Sequence, residues 1–121
     1  MANSVVHWEI NAKDGPAMQK FYGDLFDWEV TADNPMGYGV VSAPSDGPGI
    51  GGGIMGMGDV EPPTRVTFYV GVDDVTEYLE KAASMGGSVV MPEMEVMEDV
   101  VIGIFADPEG HVIGLVKNIP M

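Results

Sequence analysis

The sequence predicts an α+β fold made of two tandem β-α-β-β-β modules. Three observations carry that prediction. First, the chain reads twice. Displaced by 60 positions, Val6, Trp8, Ile10, Ala12 and Asp14 fall on Val66, Phe68, Val70, Val72 and Asp74. Further on, Met18 falls on Tyr78, Leu25 on Met85 and Val30 on Val90. Self-similarity at a fixed period sets the architecture, and two copies suit half-domains that each need an apolar partner rather than a solenoid. Second, in each copy the apolar period changes from two to helical and back again. Third, Glu61–Pro62–Pro63 divides the copies and the pattern restarts at Arg65. Alternating strands always resemble one another. Here strand, helix and next strand match in one register, with the Asp recurring in place. One domain is expected, with a first module over 1–58, a linker over 59–64 and a second module over 65–121.

Each element has its own warrant. In residues 4–12, Val6, Trp8 and Ile10 alternate with His7, Glu9 and Asn11, which predicts a half-buried strand. Asp14 stands at an N-cap position with Pro16 just inside the helix start. Met18, Phe21, Tyr22 and Leu25 continue at helical spacing, for a helix of roughly three turns. Strands follow over 28–31, 38–42 and 50–57, with a turn at Asn34, Pro35 and Gly37 and a loop at 44–48. In the second copy, 65–72 is a strand placing Val66, Phe68, Val70 and Val72 on one face. Asp73 or Asp74 caps a helix carrying Val75, Tyr78, Leu79, Ala82 and Met85, and Gly86–Gly87 ends it. A strand over 88–91 is expected to stop at Pro92, followed by a long strand over 94–106 with a break near Glu98–Asp99. Asp107–Pro108–Glu109–Gly110 is a tight turn, and 112–117 is the last strand.

Composition narrows the function classes. Nineteen acids face five bases, a formal charge of −14. Phosphate backbones need clustered Lys and Arg, and Lys13, Lys20, Arg65, Lys81 and Lys117 are scattered. Nucleic acid and anionic membrane are therefore not expected partners. No apolar run approaches the roughly 20 residues that span a bilayer. The absence of cysteine removes disulfides, thiolate nucleophiles and Cys-based zinc sites. The N-terminal Met-Ala-Asn-Ser has neither a basic region nor an apolar core. A cytoplasmic location is expected.

The stretches VVHWEI with FYGDLFDWEV behind it, TFYVGVDDV and above all FADPEGHVIGL resemble the vicinal oxygen chelate superfamily of glyoxalase I, bleomycin-resistance proteins and extradiol dioxygenases. The resemblance covers nearly the whole chain. It implies curved mixed sheets around a cavity between the modules, and a homodimer. It also implies a divalent metal, with one ligand on the first strand and one on the last strand of each module. Carried over residue by residue, His7 matches. Thr67 stands at the second first-strand position, Gly114 at the last-strand position of the second half, and Gly51–Gly52–Gly53 at that of the first. A catalytic metal centre needs about three protein ligands. A divalent metal is therefore disfavoured and no cofactor is expected.

The expected function is binding of a small apolar or aromatic molecule in that cavity. His7 and Glu9 pair on one strand face, with Thr67 and Tyr69 at the equivalent positions and Gly53, Met55 and Gly114 beside them. His7 and Glu9 are the candidates for any acid–base chemistry. His111 sits too near its turn to join them. The alternative is a glyoxalase-like lyase or a dioxygenase-like metalloenzyme with a non-standard ligand set. The glycines admit two readings, close backbone packing or a cavity widened where ligands would stand. Met55, Met57, Met91, Met94 and Met97 are candidates for an adaptable apolar wall, and Trp8 and Phe68 for the core beneath the helices.

Overall fold

Strand and helix alternate as the repeat requires. The structure, a computed structural model, describes residues 2–58 and 65–118. The linker Glu61–Pro62–Pro63 lies outside the described residues. The described elements are β1 (Val5–Ala12), α1 (Gly15–Phe26), β2 (Val30–Thr31), β3 (Gly39–Val41) and β4 (Gly52–Gly56), then β5 (Arg65–Gly71), α2 (Val75–Ser84), β6 (Ser88–Met97), β7 (Val100–Ala106) and β8 (Val112–Lys117). The chain forms two compact units, one of residues 7–66 and one joining residues 1–6 to 67–121.

In the first unit the strand order is β2-β3-β4-β1. The hairpins β2–β3 and β3–β4 are antiparallel, and β1 lies parallel to β4 with Trp8 opposite Gly52, Glu9 opposite Gly53 and Asn11 opposite Met55. Asp14 starts α1 by accepting from the Ala17 N–H at 3.0 Å, with Pro16 in the first turn. Asp27 ends the helix in the left-handed conformation, φ 57°. The apolar stripe of α1 is not a buried seam. Met18 and Tyr22 are half-buried, whereas Phe21 and Leu25 are exposed. The helix instead meets β4 through small residues. A Cβ on Gly15 would lie 2.6 Å from the Gly56 nitrogen. Ile54, Val41 and Ala12 are the buried apolar residues of this unit.

The second unit repeats the topology. Its order is β5-β8-β7-β6, with β5 parallel to β8 and two antiparallel hairpins. Asp74 caps α2 through the Glu77 N–H at 3.0 Å, and Gly86 follows the helix with φ 102°. Val75 and Leu79 of α2 pack on Leu115, Val70, Val72, Val101 and Phe105. On the opposite sheet face Tyr69, Val100 and Val116 cluster with Val6, Val96 and Ile102. The chain start is held here as well, where Ser4 accepts from the Gly71 N–H at 2.9 Å.

Two expectations are corrected. The strand from Ser88 does not end at Pro92 but runs on to Met97. The register shift between Met91 and Met94 falls where Pro92 sits, so no ladder bond is asked of the proline. The turn at Glu98–Asp99 separates two strands, with Asp99 at φ 64°. Phe68 is not a core residue beneath α2. It is 40% exposed and Val66 is 74% exposed, because α2 reaches only as far as Val70 along that face. The buried side chains of β5 are Thr67 and Tyr69, on the face away from the helix.

Candidate functional site

Period two divides β1 between two faces. Trp8, Ile10 and Ala12 lie on the side covered by α1, opposite Gly52, Ile54 and Gly56. His7, Glu9 and Asn11 lie on the other side, level with Gly53 and Met55. Val40, opposite Gly53 in the β3–β4 hairpin, joins this face. Asn11 is buried and donates to a Glu9 carboxylate oxygen at 3.4 Å.

The partner of His7 comes from a segment that alternation does not reach. Tyr38, just before β3, places its hydroxyl 2.7 Å from His7 Nε2, with the two rings nearly parallel at 18°. Gly53 makes this possible, since a Cβ there would overlap the Tyr38 ring. Burial disfavours the imidazolium and holds the His7 pKa below its ordinary value. The neutral ring has one donor and one acceptor nitrogen, so at neutral pH His7 and Tyr38 form a pair of uncharged hydrogen-bonding groups.

The equivalent face of the second unit carries Thr67 and Tyr69, with Tyr69 packed among Val100, Val116 and Ile102. Tyr69 lies opposite Gly114, the counterpart of Glu9 opposite Gly53. A Cβ on Gly114 would overlap the Tyr69 ring. Thr67 is buried, and its hydroxyl donates to the Val112 carbonyl at 2.7 Å. Met91, Met94 and Met97 stand opposite Ile104, Ile102 and Val100. Spacing of three would alternate faces in a regular strand. The register shifts restore all three to one face. His111 is placed elsewhere, its Nδ1 3.0 Å from Asp107 Oδ2 within the β7–β8 turn.

Gly51 packs closely on backbone, a Cβ there lying 2.9 Å from the Val41 carbonyl oxygen, whereas Gly52, Gly53 and Gly114 make room for aromatic rings. Tyrosine rings take the side-chain room at Gly53 and Gly114, and the Trp8 ring takes it at Gly52. On the α1 side Trp8 and Trp28 pack with ring centroids 5.0 Å apart, tilted by 33°, and wall a cleft of about 180 Å³ with Asp27, Glu29, Val41 and Ile50. That volume is below the roughly 300 Å³ at which small-molecule sites begin, and a wider, open depression of about 690 Å³ lies against Lys13, Asp14, Pro16 and Gly56. The His7 face is the candidate for its convergent polar groups, not for an enclosed cavity. Tyr38 is the residue that sequence reasoning missed. The available signals were the Asn34–Gly37 turn before it and the side-chain-free Gly53 that seats it.

The four positions at which related metal centres take their ligands do not fit such a centre here. His7 Nε2 is engaged by Tyr38, the Thr67 hydroxyl by Val112, and two glycines offer no donor atom. Among the described residues no group of three or more His, Asp or Glu side chains is placed to hold a metal ion. Nor is any described helix long and apolar enough to cross a membrane.

Comparison with known proteins agrees with this architecture. "Putative glyoxylase CFP32" of Mycobacterium tuberculosis is 34% identical over 117 residues, covering 88% of this chain. The chain spans 42% of that relative's length. A glyoxalase/bleomycin resistance protein/dioxygenase superfamily member from Vibrio splendidus superposes with a TM-score of 0.65 at 15% identity, over 97% of this chain and 100% of that one. A methylmalonyl-CoA epimerase from Streptomyces coelicolor, in complex with 2-nitronate-propionyl-CoA, gives 0.65 at 17% identity, over 99% and 100%. At such identities these two structures establish the fold alone. The sequence profile of one family matches residues 4–115, and the chain belongs to the Glyoxalase/Bleomycin resistance protein/Dioxygenase superfamily.

Proposed function

We propose that this protein binds a small, uncharged organic molecule of apolar or aromatic character on the β1–β4 face of its first unit, without a metal. The observation that carries the reading is the His7–Tyr38 hydrogen bond of 2.7 Å. It presents a neutral imidazole and a phenol side by side on a face that also holds Glu9, Met55 and Val40. A few convergent polar groups on an apolar floor are what fixes the orientation of a small ligand. Met55 adapts to ligand shape because its unbranched thioether chain has several accessible rotamers.

A second reading, proton transfer without a metal, is favoured by the placement of the His7 imidazole beside a phenol hydroxyl. Burial keeps that imidazole in its neutral, proton-accepting form at physiological pH while making it a weaker base. The methylmalonyl-CoA epimerase likeness is compatible with this reading but lends it only the fold.

A thermal-shift screen of phenols, aromatic ketones and 2-oxo compounds, compared between wild type and His7→Ala, separates these readings from a purely structural His7. A hit on the wild type should lose about tenfold in affinity or more in the variant, the equivalent of one good hydrogen bond at about 1.4 kcal/mol. The variant should melt as a folded protein. Equal affinity in the two proteins removes His7 from the site.

A further inference from the structure

Tyr38 reaches His7 only because several unrelated features converge on it. Asn34 grips its backbone from both sides. The Asn34 Nδ2 donates to the Tyr38 carbonyl at 2.7 Å, and the Tyr38 N–H donates to Asn34 Oδ1 at 2.9 Å. The turn between them closes through Gly37, whose N–H donates to the Asn34 carbonyl at 3.1 Å and whose φ of 66° suits glycine. From α1, the Gln19 amide uses both its protons, donating to the Gly37 carbonyl at 3.1 Å and the Ile54 carbonyl at 2.9 Å. That amide occupies the space where Gly39 lacks a side chain, since a Cβ there would lie 2.7 Å from it. On the far side the Tyr38 ring lies across Gly53.

Two amides and three glycines thus fix one aromatic ring in a loop that otherwise holds exposed residues, Pro35 and Met36 among them. A loop held only for stability would not need the ring's hydroxyl to end at hydrogen-bond distance from a histidine 31 positions away. We infer that Asn34 and Gln19 are positioning residues of the site, forming a clamp that holds the Tyr38 hydroxyl on His7 Nε2. The clamp fixes where the His7 ring stands and keeps a hydroxyl, able to donate or accept, at its Nε2. The inference rests on the reading of His7 as the anchor of the site. Its test needs no ligand, so the two can fail separately.

The chain has two histidines, His7 and His111. Side-chain ¹⁵N resonances of uniformly labelled full-length protein, recorded at one fixed neutral pH, report His7 directly. His111, bound to Asp107 in its own turn, is the internal reference. Tyr38→Phe keeps the ring and removes the hydroxyl, so it defines the His7 shift produced by losing the bond. Asn34→Ala and Gln19→Met should each move His7 Nε2 at least half of that distance and leave His111 in place. A folded clamp variant whose His7 resonances stay at the wild-type position overturns the inference. So does a Tyr38→Phe protein with unchanged His7 resonances, because then no bond is present to be positioned. If Asn34→Ala does not fold, Asn34→Asp replaces it. That variant keeps the acceptor for the Tyr38 N–H but loses the donor to the Tyr38 carbonyl, and it should give a smaller shift in the same direction. No shift there counts against the clamp equally.

Discussion

Removing water from His7 disfavours its charged form, so the folded-state pKa lies below the ordinary imidazole value of about 6.5. The consequence for stability has a definite sign. Between the folded-state pKa and about pH 6.5, the unfolded chain binds a proton that the native chain does not. Stability contributed through His7 is therefore constant above that window and falls as pH drops through it. Urea midpoints of wild type and His7→Ala, compared at pH 7.5 and 5.5, should show the wild type losing more than the variant. Equal losses would mean that the imidazole is not desolvated. The difference between the two proteins is the informative quantity, because protonation of the many carboxylates contributes to both. At this scale His7 and Glu9 were legible, since strict alternation in β1 places both on one face. Tyr38 was not, because a loop residue's reach depends on partners such as Gly53 and Gln19 that are far off in sequence.

The elements followed local chemistry where local chemistry decides. Asp14 caps α1 through the third residue on, as expected, and of the two candidates Asp73 and Asp74 it is Asp74 that caps α2 in the same way. The β7–β8 turn closes with Asp107 accepting from the Glu109 and His111 N–H groups. What escaped the sequence was tertiary. Helical spacing of Phe21 and Leu25 marked the helix but not its contact: both are exposed, and α1 is seated by Gly15 against Gly56. Pro92 read as a strand end, and the irregular register of β6 absorbs it. The helix contact makes a quantitative prediction. Gly15→Ala would press a methyl group 2.6 Å from one backbone atom of Gly56 and 2.9 Å from another. Overpacking against backbone costs about 1–3 kcal/mol, which exceeds the helix-propensity gain of roughly 1 kcal/mol or less. Gly47→Ala is the control, since nothing lies within 4 Å of its Cβ position. Chemical denaturation should show Gly15→Ala destabilised and Gly47→Ala neutral or slightly stabilised. A Gly15→Ala protein as stable as wild type would refute the close seating of α1 on β4.

Across the whole chain, each unit builds the same β-α-β-β-β topology with its first strand parallel to its last. The 60-residue offset was therefore a true structural repeat. The two copies have diverged in chemistry. At equivalent positions the first presents Glu9 over Gly53, and the second Tyr69 over Gly114. One copy has kept a polar face around His7, and the other holds Tyr69 in an apolar cluster. At the positions where the resemblance implied metal ligands, His7 Nε2 meets Tyr38, the Thr67 hydroxyl donates to Val112, and glycines stand at the other two. The proposed site uses His7 and Tyr38 and no metal. The most direct test is elemental analysis of purified, untagged protein after incubation with iron, zinc, manganese and nickel and then desalting. Far less than one equivalent of any metal per chain is expected, with no change in melting temperature. Close to one equivalent per chain, lost in His7→Ala, would contradict that expectation and return His7 to the role of a ligand.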